Sequence, residues 1–199
     1  FKTRASSRDG LTGVVMIEEL DWVGPGGGVL REQRTVEVYS GQDLDASLLT
    51  WRTKLAPVDE TKPLPLHGEH YYGLGLRFVP SMNKVGKVTY PEGTAAGVVV
   101  RGSEKVTPAD WCAYSAPADG KDVTVAMFDH PKNPRRPARW FTMTDPFAYM
   151  SATMNLWKEP MALEKGQSLT LCYGVAVWDG TVSADRIGRL YRRWLAVTQ

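Results

Sequence analysis

A chain of 199 residues that is 43% hydrophobic and 23% charged, with a formal charge of +2, has an ordinary globular balance and enough length to bury a sizeable core. These totals exclude an intrinsically disordered chain and give no sign of a nucleic-acid binder. No apolar run reaches the ~18 residues of a membrane-spanning helix.

The predicted elements are mostly short strands cut by turn signals. Leu11 to Leu20 is apolar-rich, Gly26-Gly27-Gly28 supplies a flexible turn, and Leu30 to Tyr39 follows. In that second segment Val36 and Val38 alternate with Thr35 and Glu37, the period of a half-buried strand, so the pair reads as a hairpin. Leu48 to Leu55 is a third strand, and the proline-broken stretch Pro57 to Pro65 is a loop, since proline cannot donate to a sheet ladder. Gly73 to Val79, Val98 to Arg101 and Trp111 to Tyr114 follow as strands, with a turn at Ala118-Asp119-Gly120. Asp122 to Phe128 places Val123, Val125 and Met127 on one face, and Arg139 to Met143 reads as another strand. After the turn Glu164 to Gln167, the segment Ser168 to Trp178 is apolar on both faces, which predicts a strand covered on both sides. Ser183 is a good N-cap, and Ile187, Leu190, Tyr191, Trp194 and Leu195 recur at helical spacing, so the C-terminus is an amphipathic helix packed on an edge or end of the sheets. The basic cluster from Arg186 to Arg193 is then that helix's solvated face.

About ten strands and one helix predict an all-β protein, an antiparallel β-sandwich with one C-terminal α-helix. A closed barrel is the alternative. Residues 1–199 read as a single sandwich domain. Cys112 and Cys172 lie in apolar strand segments and read as buried thiols, with one disulfide left open.

Two segments carry polar chemistry. The first runs from His67 to Phe78 and packs His67, Glu69, His70, Tyr71 and Tyr72 ahead of a strand on which Gly73, Gly75 and Arg77 share a face. Two glycines there leave room for a ligand above the sheet, with Arg77 at its edge. A metal held by His67, His70 and Glu69 is the less favoured option, because the spacing is not the helical HExxH zinc motif; a merely solvated polar cluster is the bland one. The second segment, Phe128 to Trp140, places Asp129 and His130 at the end of the best-patterned strand and pins the following loop with three prolines. Such a loop presents acid–base groups on a rigid scaffold, or it merely caps turns with Asp129 and Asn133. The seven tryptophans add a weak lift for sugar stacking. Walker A, GxGxxG, GxSxG and CxxC motifs are absent from the sequence, and no cofactor is expected.

At these segments the chain resembles the bacterial family of unknown function DUF6807. The residues that carry the resemblance are the segment around Glu69 with the glycine-rich run to Arg77, Ala109 to Ser115 with Trp111, and Gly120 to Ala126. They continue with Asp129-His130-Pro131-Lys132-Asn133-Pro134, Trp140, and Leu163 to Gly180. Members are often labelled "methane oxygenase PmoA" automatically, a name belonging to a transmembrane helical subunit whose character this chain does not share. The resemblance implies a galactose-mutarotase-like supersandwich and a role in sugar metabolism. It also implies an N-terminal segment rich in histidine, glycine and tryptophan that has no counterpart here, so the chain reads as the larger part of a longer family domain.

The leading expectation is an enzyme acting on a sugar or glycoside by hydrolysis, elimination or epimerisation. Glu69 and His130 are its acid–base candidates and Asp129 orients His130. Arg77, Asn133 and His70 bind substrate, and Trp111 or Trp140 stacks on the ring. The alternatives are a non-catalytic carbohydrate-binding module and a metal-dependent enzyme using His67, His70 and Glu69. The expected partner is a small carbohydrate or glycan, with no nucleic acid and no membrane span.

Overall fold

The computed structural model describes residues 2–8 and 10–198. In chain order the strands are β1 (Lys2–Arg8), β2 (Leu11–Gly24), β3 (Gly27–Ser40), β4 (Ser47–Pro57), β5 (Leu64–Leu66), β6 (Gly73–Arg77), β7 (Lys87–Thr89), β8 (Val98–Arg101), β9 (Glu104–Pro108), β10 (Trp111–Ala118), β11 (Lys121–Asp129), β12 (Arg139–Met143), β13 (Tyr149–Thr153), β14 (Met161–Leu163) and β15 (Leu169–Asp179), followed by helix α1 (Ala184–Val197). They form an eight-stranded sheet in the order β1-β2-β3-β4-β15-β11-β10-β7, a five-stranded sheet β6-β13-β12-β9-β8 and a two-stranded ribbon β14-β5. The pairings between strands are antiparallel. The all-β expectation holds, and among the described residues no helix is long and apolar enough to cross a membrane.

The large sheet is covered on both faces at its centre. Ala126, Phe128, Cys172, Ala176 and Trp178 pack with Ile187, Leu190, Tyr191, Trp194 and Val197 of α1. Met127, Tyr173, Leu171 and Val175, the alternate positions of the same strands, pack instead with Trp140, Met150, Leu74 and Leu76 of the small sheet. Successive side chains of a strand point to opposite faces, so the doubly apolar reading of β15 is correct. The helix position needs correcting: α1 covers the face of the large sheet rather than an edge or end. Gly174 allows this, since a Cβ there would stand 2.8 Å from both Phe128 and the Trp194 ring. Ser183 caps the helix, its Oγ accepting from the Arg186 N–H at 3.3 Å.

The β2–β3 hairpin is tighter than expected. Its turn is Pro25-Gly26, the ladder continues to Gly24 and Gly27, and the register slips between Trp22 and Val23. At the end of the proline-broken stretch Leu64–Leu66 forms β5, which pairs with β14. Cys112 lies between the sheets and Cys172 lies on the helix face; both are free, and burial pushes the Cys112 thiol up strongly and the Cys172 thiol up to about 11.

Candidate functional site

The expected site residues separate onto three places. Asp129 and His130 are consecutive at the end of β11 and so point to opposite faces. His130 meets the Trp194 ring of α1 edge-on at 5.6 Å, and its Nδ1 accepts from the Lys132 N–H at 3.1 Å. Asp129 is buried, with one oxygen accepting from Asn133 Nδ2 at 2.7 Å and the other from the Ala138 N–H at 2.8 Å. It therefore holds the loop rather than His130. Asn133 clasps the β15 backbone in turn, donating to the Cys172 carbonyl and accepting from the Cys172 N–H, both at 2.7 Å. Burial pushes the Asp129 carboxyl up despite those bonds. The His130 imidazole is held below its ordinary value by burial and by the charges of Lys132, Arg52 and Arg136. This segment is an architectural staple joining β11, β15 and α1.

Trp111 and Trp140 are 4% and 0% exposed, and Trp140 Nε1 donates to the Ala109 carbonyl at 2.7 Å. Neither ring is accessible for sugar stacking, which corrects that expectation.

The second place is the outer face of the small sheet, where Gly73, Gly75 and Arg77 do share a face opposite Thr153, Ser151 and Tyr149. The room above the glycines is already filled. A Cβ on Gly75 would fall 2.0 Å from the Tyr149 hydroxyl, and one on Gly73 would fall 1.8 Å from the Ala152 carbonyl oxygen. Arg77 lies over the Phe147 ring at 3.9 Å. Glu69 is exposed and its Oε2 lies 4.0 Å from His70 Nδ1. His70 faces inward, its Nε2 3.5 Å from Glu104 Oε2, a buried oxygen with no hydrogen-bond partner. His70 also touches the rings of Tyr71, Phe141 and Trp157. Among the described residues no group of three or more His, Cys, Asp or Glu side chains could hold a metal ion, so His67, His70 and Glu69 are not brought to one point.

The third place was not foreseen. A cavity of about 510 Å³ is walled by residues of β2, β3, β4 and β15 and by Leu66, His67, the 71–74 segment, Tyr149, Ala152, Met154 and Leu156. None of Glu69, His70, Arg77, Asp129, His130, Asn133, Trp111 or Trp140 lines it, whereas His67 does. Register sets the rows on this face of the large sheet. Leu20, Glu32 and Leu55 stand side by side across β2, β3 and β4, as do Glu18, Arg34 and Thr53 in the next row.

Glu32 is 2% exposed and is bound on every side. One oxygen accepts from Arg34 Nε at 2.9 Å and Thr53 Oγ1 at 2.8 Å, and the other from Arg34 Nη2 at 3.0 Å and Trp22 Nε1 at 2.8 Å. A carboxylate has about four lone-pair positions, so none remains for a ligand. Burial pushes this carboxyl up, but the hydrogen bonds from Arg34, Thr53 and Trp22 and the Arg34 charge outweigh it, and the carboxyl sits below its ordinary value. The ionised Glu32 organises its neighbours. It holds Arg34 over the Trp51 ring at 4.8 Å and leaves Arg34 Nη1 3.8 Å from Glu18 Oε2. Tyr71, Tyr72 and Tyr149 line the cavity as well. The sequence signal was a Glu-x-Arg pair on the face of β3 that also carries Leu30, Val36 and Val38, charges that interrupt an apolar face.

Strands paired across an open sheet and a helix over its other face describe a β-sandwich with a recessed cavity. The model of the "Family of unknown function (DUF6807)" matches residues 2–192, and the chain belongs to that family. No curated protein and no solved structure matches the sequence.

Proposed function

We propose that the protein is carbohydrate-active and holds its sugar in the cavity over β3 and β4. The observation that carries this reading is the Glu32-centred network, which fixes an indole, a guanidinium and a hydroxyl on one wall beside the Trp51 ring. Flat aromatic faces suit the C–H faces of a sugar, and the fixed donor Arg34 suits its hydroxyls. Arg34 is neutralised by Glu32 and flanked by Glu18, so the wall has no free positive charge, which favours a hydroxyl-rich ligand over an anion. Recognition is better supported than proton transfer, because Glu32 is fully engaged. We also read the architecture as a supersandwich of the galactose-mutarotase type.

Titration of a panel of mono- and disaccharides, followed by calorimetry and tryptophan fluorescence, tests the reading. Saturable binding that Trp51→Ala and Arg34→Ala each weaken at least about tenfold, the scale of a lost stacking or charged contact, is the expected result. No binding by any sugar, or binding indifferent to both substitutions, overturns it. The second reading, an acid–base enzyme acting on the same ligand, is favoured by His67, an imidazole on the cavity wall that can give or take a proton. It predicts turnover of a glycoside that His67→Ala abolishes while binding persists.

A further inference from the structure

The cavity lining changes character along its strands. At one end Leu30, Leu55 and Leu169 meet Leu66, Met154 and Leu171 under the β5–β14 ribbon, and all six line the cavity. Moving along β4, Leu55 gives way to Thr53 and then Trp51, and along β15 Leu169 gives way to Leu171 and Tyr173. Four residues separate Leu55 from Trp51, roughly 13 Å at about 3.3 Å per strand residue. A single sugar ring spans less than half of that. At the Trp51 end lie the Trp51 and Tyr173 rings and the partly exposed Arg34 guanidinium, whereas at the leucine end the polar atoms of Glu32, beside Leu55, and of Trp22, beside Leu30, are spent within the network. Placing hydroxyls there would strip them of water with nothing in exchange.

We infer that the ligand of this cavity is an amphipathic glycoside, with its sugar against Trp51, Arg34 and the tyrosines and an apolar aglycone against the leucine-lined end. The inference rests on the carbohydrate reading of the same cavity and adds the aglycone to it. The volume of about 510 Å³ accommodates a hexose joined to an alkyl chain or aromatic ring. The apolar end supplies affinity through area removed from water, while the Glu32 network supplies orientation.

The test uses the unaltered protein and four ligand series built on glucose, galactose, mannose and xylose. Each series compares the methyl, phenyl and octyl β-glycosides, with phenol and octanol as aglycones alone, by calorimetry. The expected result is that a phenyl or octyl glycoside binds at least about tenfold tighter than the matching methyl glycoside, from the added apolar burial, and tighter than its aglycone. In Met154→Ser, a half-buried loop position within the leucine-lined end, that increment shrinks while methyl-glycoside affinity is retained. Equal affinity for methyl and phenyl or octyl glycosides overturns the inference and leaves the carbohydrate reading standing. Equal affinity for glycoside and bare aglycone, or no binding at all, overturns both.

Discussion

The two faces of the large sheet each carry a buried polar network, and they differ in what is left over. On the helix face Thr50 receives the Trp194 indole N–H at 2.8 Å and shares a hydrogen bond with the Tyr39 hydroxyl at 2.9 Å. The Tyr39 hydroxyl also donates to Glu37 Oε2 at 3.0 Å, and Arg52 Nη1 lies 3.5 Å from the same oxygen, so this network too ends in an ion pair, while its Thr50 end is fully buried under α1. On the cavity face, three residues along β4, Thr53 joins Glu32, Arg34 and Trp22 in a charged network. There Arg34 keeps 27% of its side chain exposed and the rings stand against open space. The helix-face network closes a core. The cavity-face network, fully satisfied at its carboxylate yet open at its guanidinium and rings, has the form of a preorganised binding wall.

Substitutions can break this contrast in graded ways. Trp194→Ala removes the seal over the helix face and should cost about 3–5 kcal/mol, the scale of a deleted core tryptophan, measured by urea unfolding; sugar affinity of the folded fraction should not change. Glu32→Gln removes the organising charge and should cost about 1–3 kcal/mol while also weakening ligand binding, so stability and affinity fall together. It also alters the acid limb. Because the Glu32 carboxyl sits below its ordinary value, its stabilisation is present above the carboxyl range of the unfolded chain and lost as pH falls through the folded-state value. The Gln variant should show a shallower loss in that window. Gly75→Ala should cost roughly 1–3 kcal/mol, the scale of overpacking, since its Cβ would fall 2.0 Å from the Tyr149 hydroxyl and must displace that ring, which should also lower affinity. His130→Asn should have the smallest effect. The depressed imidazole takes up a proton less readily folded than unfolded, so stability falls as pH drops through the ordinary histidine range near ~6.5. The variant should flatten that slope in pH-dependent melts.

How much was legible in the sequence follows the same division. The doubly apolar β15, the alternation of β11 and the capped amphipathic α1 are local patterns, and each appears where expected. The strands β5, β7 and β14 are three residues each, too short to express a period. The Tyr149–Thr153 strand carries small polar residues on its outer face, which hides its alternation. The Asp129–Asn133 block stood out for its histidine and prolines, yet a loop that must clasp a neighbouring strand needs the same residue types as a catalytic loop. The cavity was missed because its wall is read across strands. Trp22 and Tyr173 reach it from distant parts of the chain, and no window of sequence holds both. Only Glu32 and Arg34, two charges on an otherwise apolar strand face, left a local trace.

The two free thiols offer a practical handle on this architecture. Cys112 lies between the sheets and Cys172 under the helix, with the sheet itself dividing them and burial suppressing thiolate formation at both. Alkylating reagents therefore reach either sulfur only when its own layer opens. Mass spectrometry of pulse-labelled protein would then act as a two-channel clock, timing the lifting of the helix and the parting of the sheets separately, without a single engineered probe.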